Sequence, residues 1–219
     1  MHRAEEDYLK IIYKHTIEAD LEVVKTSVIA NIMHSTNQTV NEMVRRLAKK
    51  KMATFLRYKG IKLTAEGLIE AIKLVRNHRL WEVFLVQKLN YSWITAHDEA
   101  EKLEHVSSDY LMDKIDKLLD YPQYCIHGNV IPSVHGILPK TCKFPLLSAN
   151  INDSIIVERV FDQHDFLAFM DKENIRIGSK ITVIARDDFN GVIDILIDGK
   201  ATTLSTYVAS NIFGHLINQ

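Results

Sequence analysis

The sequence predicts an α+β protein, helical from its start to about Leu119 and strand-rich after Asn150. Three observations carry this. Apolar positions recur at helical spacing through the first part, β-branched runs cluster in the last part, and Tyr121–Asn150 between them holds all four prolines and both cysteines. At 219 residues, 47% hydrophobic and 25% charged, the chain can bury a real core and has room for two or three domains. No run approaches the roughly 18 uninterrupted apolar residues of a membrane span, and "MHRAEEDYLK" lacks the apolar stretch of a signal peptide. Two cysteines are too few for a disulfide framework. A cytoplasmic protein with no membrane partner is expected.

Taken in order, Tyr8, Ile11 and Ile12 give a first helix its apolar stripe. "TSVIANIM" reads as a short second helix with Thr26 or Ser27 as its cap. "STNQTVNEMVRRLAKKK" reads as a third, because Val40, Met43, Val44 and Leu47 fall at i, i+3, i+4 and i+7. "MATFLRYKGIKLT" alternates around a Lys-Gly turn and predicts two strands. Three helices and a hairpin make a winged helix-turn-helix over residues 1–64, whose third helix enters the major groove of double-stranded DNA. With its apolar face turned inward, that helix offers Thr36, Gln38, Thr39, Asn41, Glu42, Arg45 and Arg46 to base edges and phosphates. Arg57, Tyr58 and Lys59 fall at the wing tip, where phosphate or minor-groove contacts are expected. Glu42 either accepts from a cytosine amine or lies off the interface. The alternative is a small helical domain whose basic face is merely solvated or binds protein.

Thr64 is a plausible N-cap for a long helix from Ala65 to Leu89 that tolerates Gly67. A helix through His97 to about His105 and another to about Leu119 complete a helical domain over 65–138, followed by a linker over 139–150. "SIIVERV" and "KITVIAR" read as strands, "GVIDILIDGKATTL" as a hairpin turning at Asp198-Gly199, and "DQHDFLAFMDKENI" as a helix. Residues 151–219 thus form a small β-barrel-like module.

The net charge of −1 hides an asymmetry. Asn37–Lys62 carries eight Lys/Arg against one acid, and Trp93–Asp120 carries eight acids against three Lys. A basic and an acidic patch on one chain suit two partners, an anion and a cation. The acidic stretch contains "HDEAEKLEH", in which Glu101, Glu104 and His105 share a helix face with His97 one turn earlier. His78 and Glu82 stand at i, i+4 on the preceding helix, "CIH" offers Cys125 and His127, and the first helix adds Glu5, Glu6 and Asp7. Singly, each is an ordinary helix pair or buried thiol. Jointly, so many carboxylates repel one another unless a proton or cation intervenes, and mixed carboxylate and imidazole sets suit Mn, Fe, Co, Ni or Zn. No HExxH motif, Gly-rich phosphate loop or recognisable nucleophile is present, so metal sensing outranks catalysis.

At this point "NHRLWEVFLVQKLN" and "HDEAEKLEHVSSD" resemble the metal-binding and dimerisation core of the diphtheria toxin repressor family. "EEDYLKIIY", the helix-turn-helix and "GIKLTAEG" resemble its DNA-binding domain, and the tail resembles its SH3-like (FeoA-like) third domain. The details resemble the manganese-sensing branch. Glu101 stands where toxin-type members carry a Cys, Asp7 stands where they carry a Met, and "LDYPQYCIHG" also matches that branch. Both changes replace sulfur with hard oxygen, which favours Mn²⁺ over softer ions.

The resemblance implies two metal sites per subunit. One would use Glu82, Cys125, His127 and Asp162 from "ERVFDQHD", the other Asp7, His78, Glu101, Glu104 and His105, with His97 and His164 as supports of the ligands. It implies a homodimeric repressor of metal-uptake genes, not an enzyme, that binds operator DNA when loaded with Mn²⁺. Fe²⁺ is the alternative effector, and Zn²⁺ or another divalent ion would substitute in vitro. Trp81, Phe84, Leu85 and Trp93 are candidates for the dimer contact, with ordinary core the equal alternative. His34 and Gln38 depart from the family's usual Gly and Pro before the third helix, which bears on DNA sequence preference. The rival functions are a metal-dependent hydrolase and a constitutive DNA-binding protein with structural metal.

Overall fold

Glu5 starts the chain's first helix, α1 (Arg3–Tyr13), by accepting the His2 amide at 3.1 Å. Tyr8, Leu9, Ile12 and Tyr13 lie inward, and one π-helical turn (Lys14–Glu18) continues the rod. In α2 (Thr26–Ile32) neither Thr26 nor Ser27 caps the helix; Lys25 occupies the N-cap and makes no side-chain cap bond. The antiparallel bridge between Val24 and Ile61 precedes it, and Lys25 is itself extended, so backbone pairing sets where α2 begins. Helix α3 (Asn37–Lys49) is capped as expected for a Thr, with Thr36 Oγ1 accepting the Thr39 amide at 3.1 Å. Strands β1 (Ala53–Leu56) and β2 (Gly60–Leu63) pair antiparallel from Ala53↔Leu63 to Leu56↔Gly60. The computed structural model describes residues 1–56, 59–134 and 136–217, so Arg57 and Tyr58 of the expected wing tip lie outside the described residues.

Thr64 caps α4 (Ala65–Leu89) by accepting the Gly67 amide at 3.0 Å. Gly67 is tolerated there for a packing reason: a Cβ would sit 1.8 Å from the Met52 carbonyl oxygen. Val40, Val44 and Leu47 of α3 join Tyr8, Leu9, Ile12, Ile61 and Val75 in one core, with Met43 packed at its margin. This is the core of a unit comprising Met1–His78, Leu103–Ser107 and Pro132–Ile137.

The other unit comprises Arg79–Lys102, Ser108–Ile131 and Leu138–Gln219. It contains most of α5 (Trp93–Leu103) and all of α6 (Asp109–Leu118). A core of Leu80, Val83, Met112, Ile115, Leu119, Cys125 and Ile131 lies beneath them. Its sheet has the order β6-β5-β4-β3-β7, antiparallel throughout, from β3 (Ser154–Val160), β4 (Lys180–Asp187), β5 (Val192–Ile197), β6 (Lys200–Ser205) and β7 (Ile212–Ile217). Alternation places Ile181, Val183, Ile193, Ile195 and Ile197 inward, against α7 (His164–Lys172) and α8 (Thr206–Ser210). Asp198 and Gly199, at φ 48° and 78°, form the expected two-residue turn between Ile197 and Lys200.

Leu85 is buried, Trp93 packs on the sheet core, and Trp81 and Phe84 form an edge-on pair against the α4–α6 core. The apolar side chains that α6 leaves in solvent are Tyr110, Leu111 and Leu118. Among the described residues no helix is long and apolar enough to cross a membrane.

Candidate metal centres

In the first unit, α1 and the turn after α5 bring Asp7, Glu104 and His105 together, with ligand atoms within 4.8 Å of one another. His105 Nε2 lies 3.0 Å from Asp7 Oδ1 and 3.2 Å from Glu104 Oε1, yet is buried without a well-formed hydrogen bond. Its other nitrogen, Nδ1, is fixed by Glu6 Oε2 at 2.6 Å. An imidazole held by one nitrogen while the other faces two carboxylate oxygens has the orientation of a metal ligand with an outer support. Glu104 is fully buried at its side chain, and its Oε2 meets His78 Nδ1 at 2.6 Å. Asn77 donates to the Glu104 carbonyl at 3.4 Å and fixes the turn.

In the second unit, Glu82, His97 and His127 form another such group. Glu82 Oε1 is 3.0 Å from His97 Nδ1 and 3.1 Å from His127 Nδ1. His127 is completely buried, with neither ring nitrogen in a hydrogen bond. Orphaned buried nitrogens cost free energy unless something occupies them, and a cation accounts for both imidazoles converging on one carboxylate. Cys125 is buried nearby, its thiol pushed well above its ordinary pKa, first by burial and then by the charge of Glu82. A divalent ion would reverse that effect and stabilise the thiolate. Asp162, also buried, lies 3.9 Å from Arg79 Nη2, while Arg79 Nη1 donates to the Val130 carbonyl at 2.6 Å. The segment carrying His127 is seated on β3: the His127 carbonyl accepts the Val160 amide at 3.0 Å, and Asn129 Nδ2 donates to the Val160 carbonyl at 3.2 Å.

His97, expected as a support, is hydrogen-bonded through Nδ1 to Glu82 Oε1 at 3.0 Å and belongs to the same candidate group. His164 instead pairs with Asp98 at 2.8 Å on the surface. Glu101 belongs to the second unit, its carboxylate 3.8 Å from His97 Nε2. In the sequence Lys10, four residues after Glu6, reads as a plain helix pair; in the structure its ammonium lies 2.6 Å from Glu104 Oε1.

In the N-terminal unit, Thr36, Gln38, Thr39, Arg45 and Arg46 are exposed along α3, as is Lys59 between β1 and β2. Asn41 is half-buried and its Oδ1 accepts from Thr26 Oγ1 at 3.5 Å, while Glu42 is engaged by Gln38 at 3.2 Å. Arg46 and Lys50 meet the buried Glu5 carboxylate at 3.3 and 2.8 Å.

A basic helix-turn-helix joined in one chain to clustered carboxylates and imidazoles defines a metal-responsive DNA-binding regulator. The comparisons agree. Residues 1–61 match the N-terminal DNA binding domain of iron dependent repressors, residues 64–133 their metal binding and dimerisation domain, and residues 144–215 the FeoA domain. An uncharacterized HTH-type transcriptional regulator of Methanocaldococcus jannaschii is 33% identical over 115 residues, 52% of this chain and 91% of the relative. The diphtheria toxin repressor of Corynebacterium jeikeium is 29% identical over 133 residues, 61% of this chain and 55% of that relative. A solved manganese-dependent transcriptional repressor in complex with manganese is similar at a TM-score of 0.84 and 33% identity, over 97% of this chain and 100% of that one. The chain belongs to the iron-dependent repressor family, whose members are metal-dependent transcriptional regulators and not enzymes.

Proposed function

We propose that this protein is a cytoplasmic, homodimeric repressor of metal-uptake genes that binds its operator when loaded with Mn²⁺. The observation that carries the reading is the Asp7, Glu104 and His105 group, which joins the helix opening the DNA-binding domain to the turn after α5. Asp7, His78, Glu104 and His105 would hold one ion. Glu82, His97, Cys125, His127 and Asp162 would hold a second. The first set is oxygen-rich, which suits Mn²⁺, and the similarity to a manganese-dependent repressor supports the same effector. The bound cation supplies positive charge that lets opposed carboxylates share one site.

The protein's own residues do the rest. Glu6 orients His105, Asn77 holds the Glu104 turn, and Asp7 tethers α1, whose apolar face packs with α3 in one core. Thr36, Gln38, Thr39, Asn41, Arg45, Arg46, Arg57, Tyr58 and Lys59 would contact DNA. The domains proposed are 1–64 for DNA, 65–138 for metal and dimerisation, a linker over 139–150, and 151–219 as the third domain.

The test is fluorescence anisotropy on genomic fragments at fixed salt, with stripped protein titrated with Mn²⁺, Fe²⁺ and Zn²⁺. DNA affinity rises on Mn²⁺ addition, and Asp7→Ala and His105→Ala abolish the rise while the dimer stays folded. A full metal response in both variants would sink the ligand assignment. Metal-indifferent binding would make the chain a constitutive DNA-binding protein.

A further inference from the structure

The acidic group around Glu104 already contains a cation of its own. Lys10 lies on α1 one turn past Asp7, is 5% exposed, and places its Nζ 2.6 Å from Glu104 Oε1. That same oxygen is 3.2 Å from His105 Nε2, which in turn is 3.0 Å from Asp7 Oδ1. The ammonium is therefore bound to an oxygen that belongs to the candidate ligand group. Glu104 cannot turn its other oxygen to the ion without loss, because Oε2 is held by His78 at 2.6 Å.

We infer that Lys10 is an internal counter-cation of the metal centre, an ammonium that occupies Glu104 in the metal-free protein and gives way to a divalent ion. The inference rests on the metal-site reading above. Two consequences follow from charge alone. Without metal, Glu6, Asp7 and Glu104 crowd the two imidazoles, and the ammonium offsets their repulsion and keeps the site assembled. With metal, the ion must compete for the same oxygen and accept a like charge nearby, so its affinity is set below what the ligands alone would give. A site built this way responds only when the divalent ion becomes abundant. Lys10 thus tunes the threshold while leaving the ligand atoms unchanged.

The experiment is calorimetric titration of stripped full-length protein with Mn²⁺, comparing wild type with Lys10→Met, Lys10→Arg and Asp7→Ala. Methionine keeps the aliphatic stem and removes the charge, so Lys10→Met binds Mn²⁺ roughly ten- to a hundredfold tighter at the site that Asp7→Ala removes. Lys10→Arg, which keeps the charge, stays near wild type. A folded Lys10→Met with unchanged or weaker affinity overturns the role of Lys10. If Asp7→Ala removes no site, the metal-centre reading itself falls instead. A second readout needs no variant: the Lys10 ¹⁵Nζ resonance of the wild type shifts on addition of diamagnetic Zn²⁺ as the ammonium leaves Glu104. A resonance that does not move while Zn²⁺ binds at this site also overturns the inference.

Discussion

Gly128 shapes the turn that carries His127 of the second candidate metal group. It follows His127 at φ 78°, and a Cβ there would lie 1.8 Å from the Glu158 carbonyl oxygen. Only a glycine lets the turn of Cys125 and His127 settle onto β3, where the Val160 amide and carbonyl are both engaged. Gly128→Ala combines a left-handed penalty with a backbone clash, so it costs at least about 2 kcal/mol. Thermal unfolding should register that loss, and, if both proposed sites bind Mn²⁺, one ion per subunit should be lost while the Asp7, Glu104 and His105 site stays loaded. A variant that keeps both ions would show that the turn does not position His127. At this scale the sequence was partly legible. The approach of His97 to Glu101 follows from i, i+4 spacing, but the approach of His97 to Glu82 does not, since those residues sit on different helices. Lys10 escaped for a related reason: its partner Glu104 is 94 positions away, and no local pattern signals a pairing made across the core.

Among the elements, α1 and α3 are tied by one buried carboxylate. Glu5 receives Lys50 at 2.8 Å and Arg46 at 3.3 Å, and the Lys50 hydrogen bond holds its pKa below the usual carboxylate range. Because the folded value is the lower one, this contribution is complete above the ordinary carboxylate pKa and is lost as pH falls through the depressed value. Both cations are about half exposed, so solvent screening limits Glu5→Gln to a loss of about 1 kcal/mol. Its larger effect is on DNA. Arg46 and Lys50, released, become available to phosphates, and a plot of log affinity against log salt steepens by about one to two units. An unchanged slope would mean that Glu5 does not hold these side chains back. The helices themselves were readable because one face of each is buried against a single core, which imposes the 3.6-residue period. Strand β7 and helix α8 were not. "IFGHLI" is interrupted by Gly214, where a Cβ would meet the Ile156 carbonyl oxygen at 2.1 Å, so the close approach of β3 dictates a residue that weakens the strand signal.

For the whole molecule, a net charge of −1 means that general Coulomb attraction cannot explain DNA binding. Affinity must come from the local basic stretch Asn37–Lys62, and metal can raise it in two ways. It can neutralise acids that repel the phosphates, or it can favour the conformation in which α3 fits the groove. Neutralisation acts through solvent and weakens as the Debye length shrinks, whereas a conformational bias does not depend on screening. The tightening of DNA binding by Mn²⁺, roughly 5- to 150-fold if typical, should therefore persist when salt is raised, even as absolute affinity falls. Linkage adds a stricter condition: DNA must tighten Mn²⁺ binding by the same factor by which Mn²⁺ tightens DNA binding. Measuring the Mn²⁺ dissociation constant with and without the operator fragment, at low and high salt, tests both statements. A factor that collapses at high salt would assign the metal's action to charge neutralisation. A factor that holds would place it in the geometry set where Asp7, Glu104 and His105 meet.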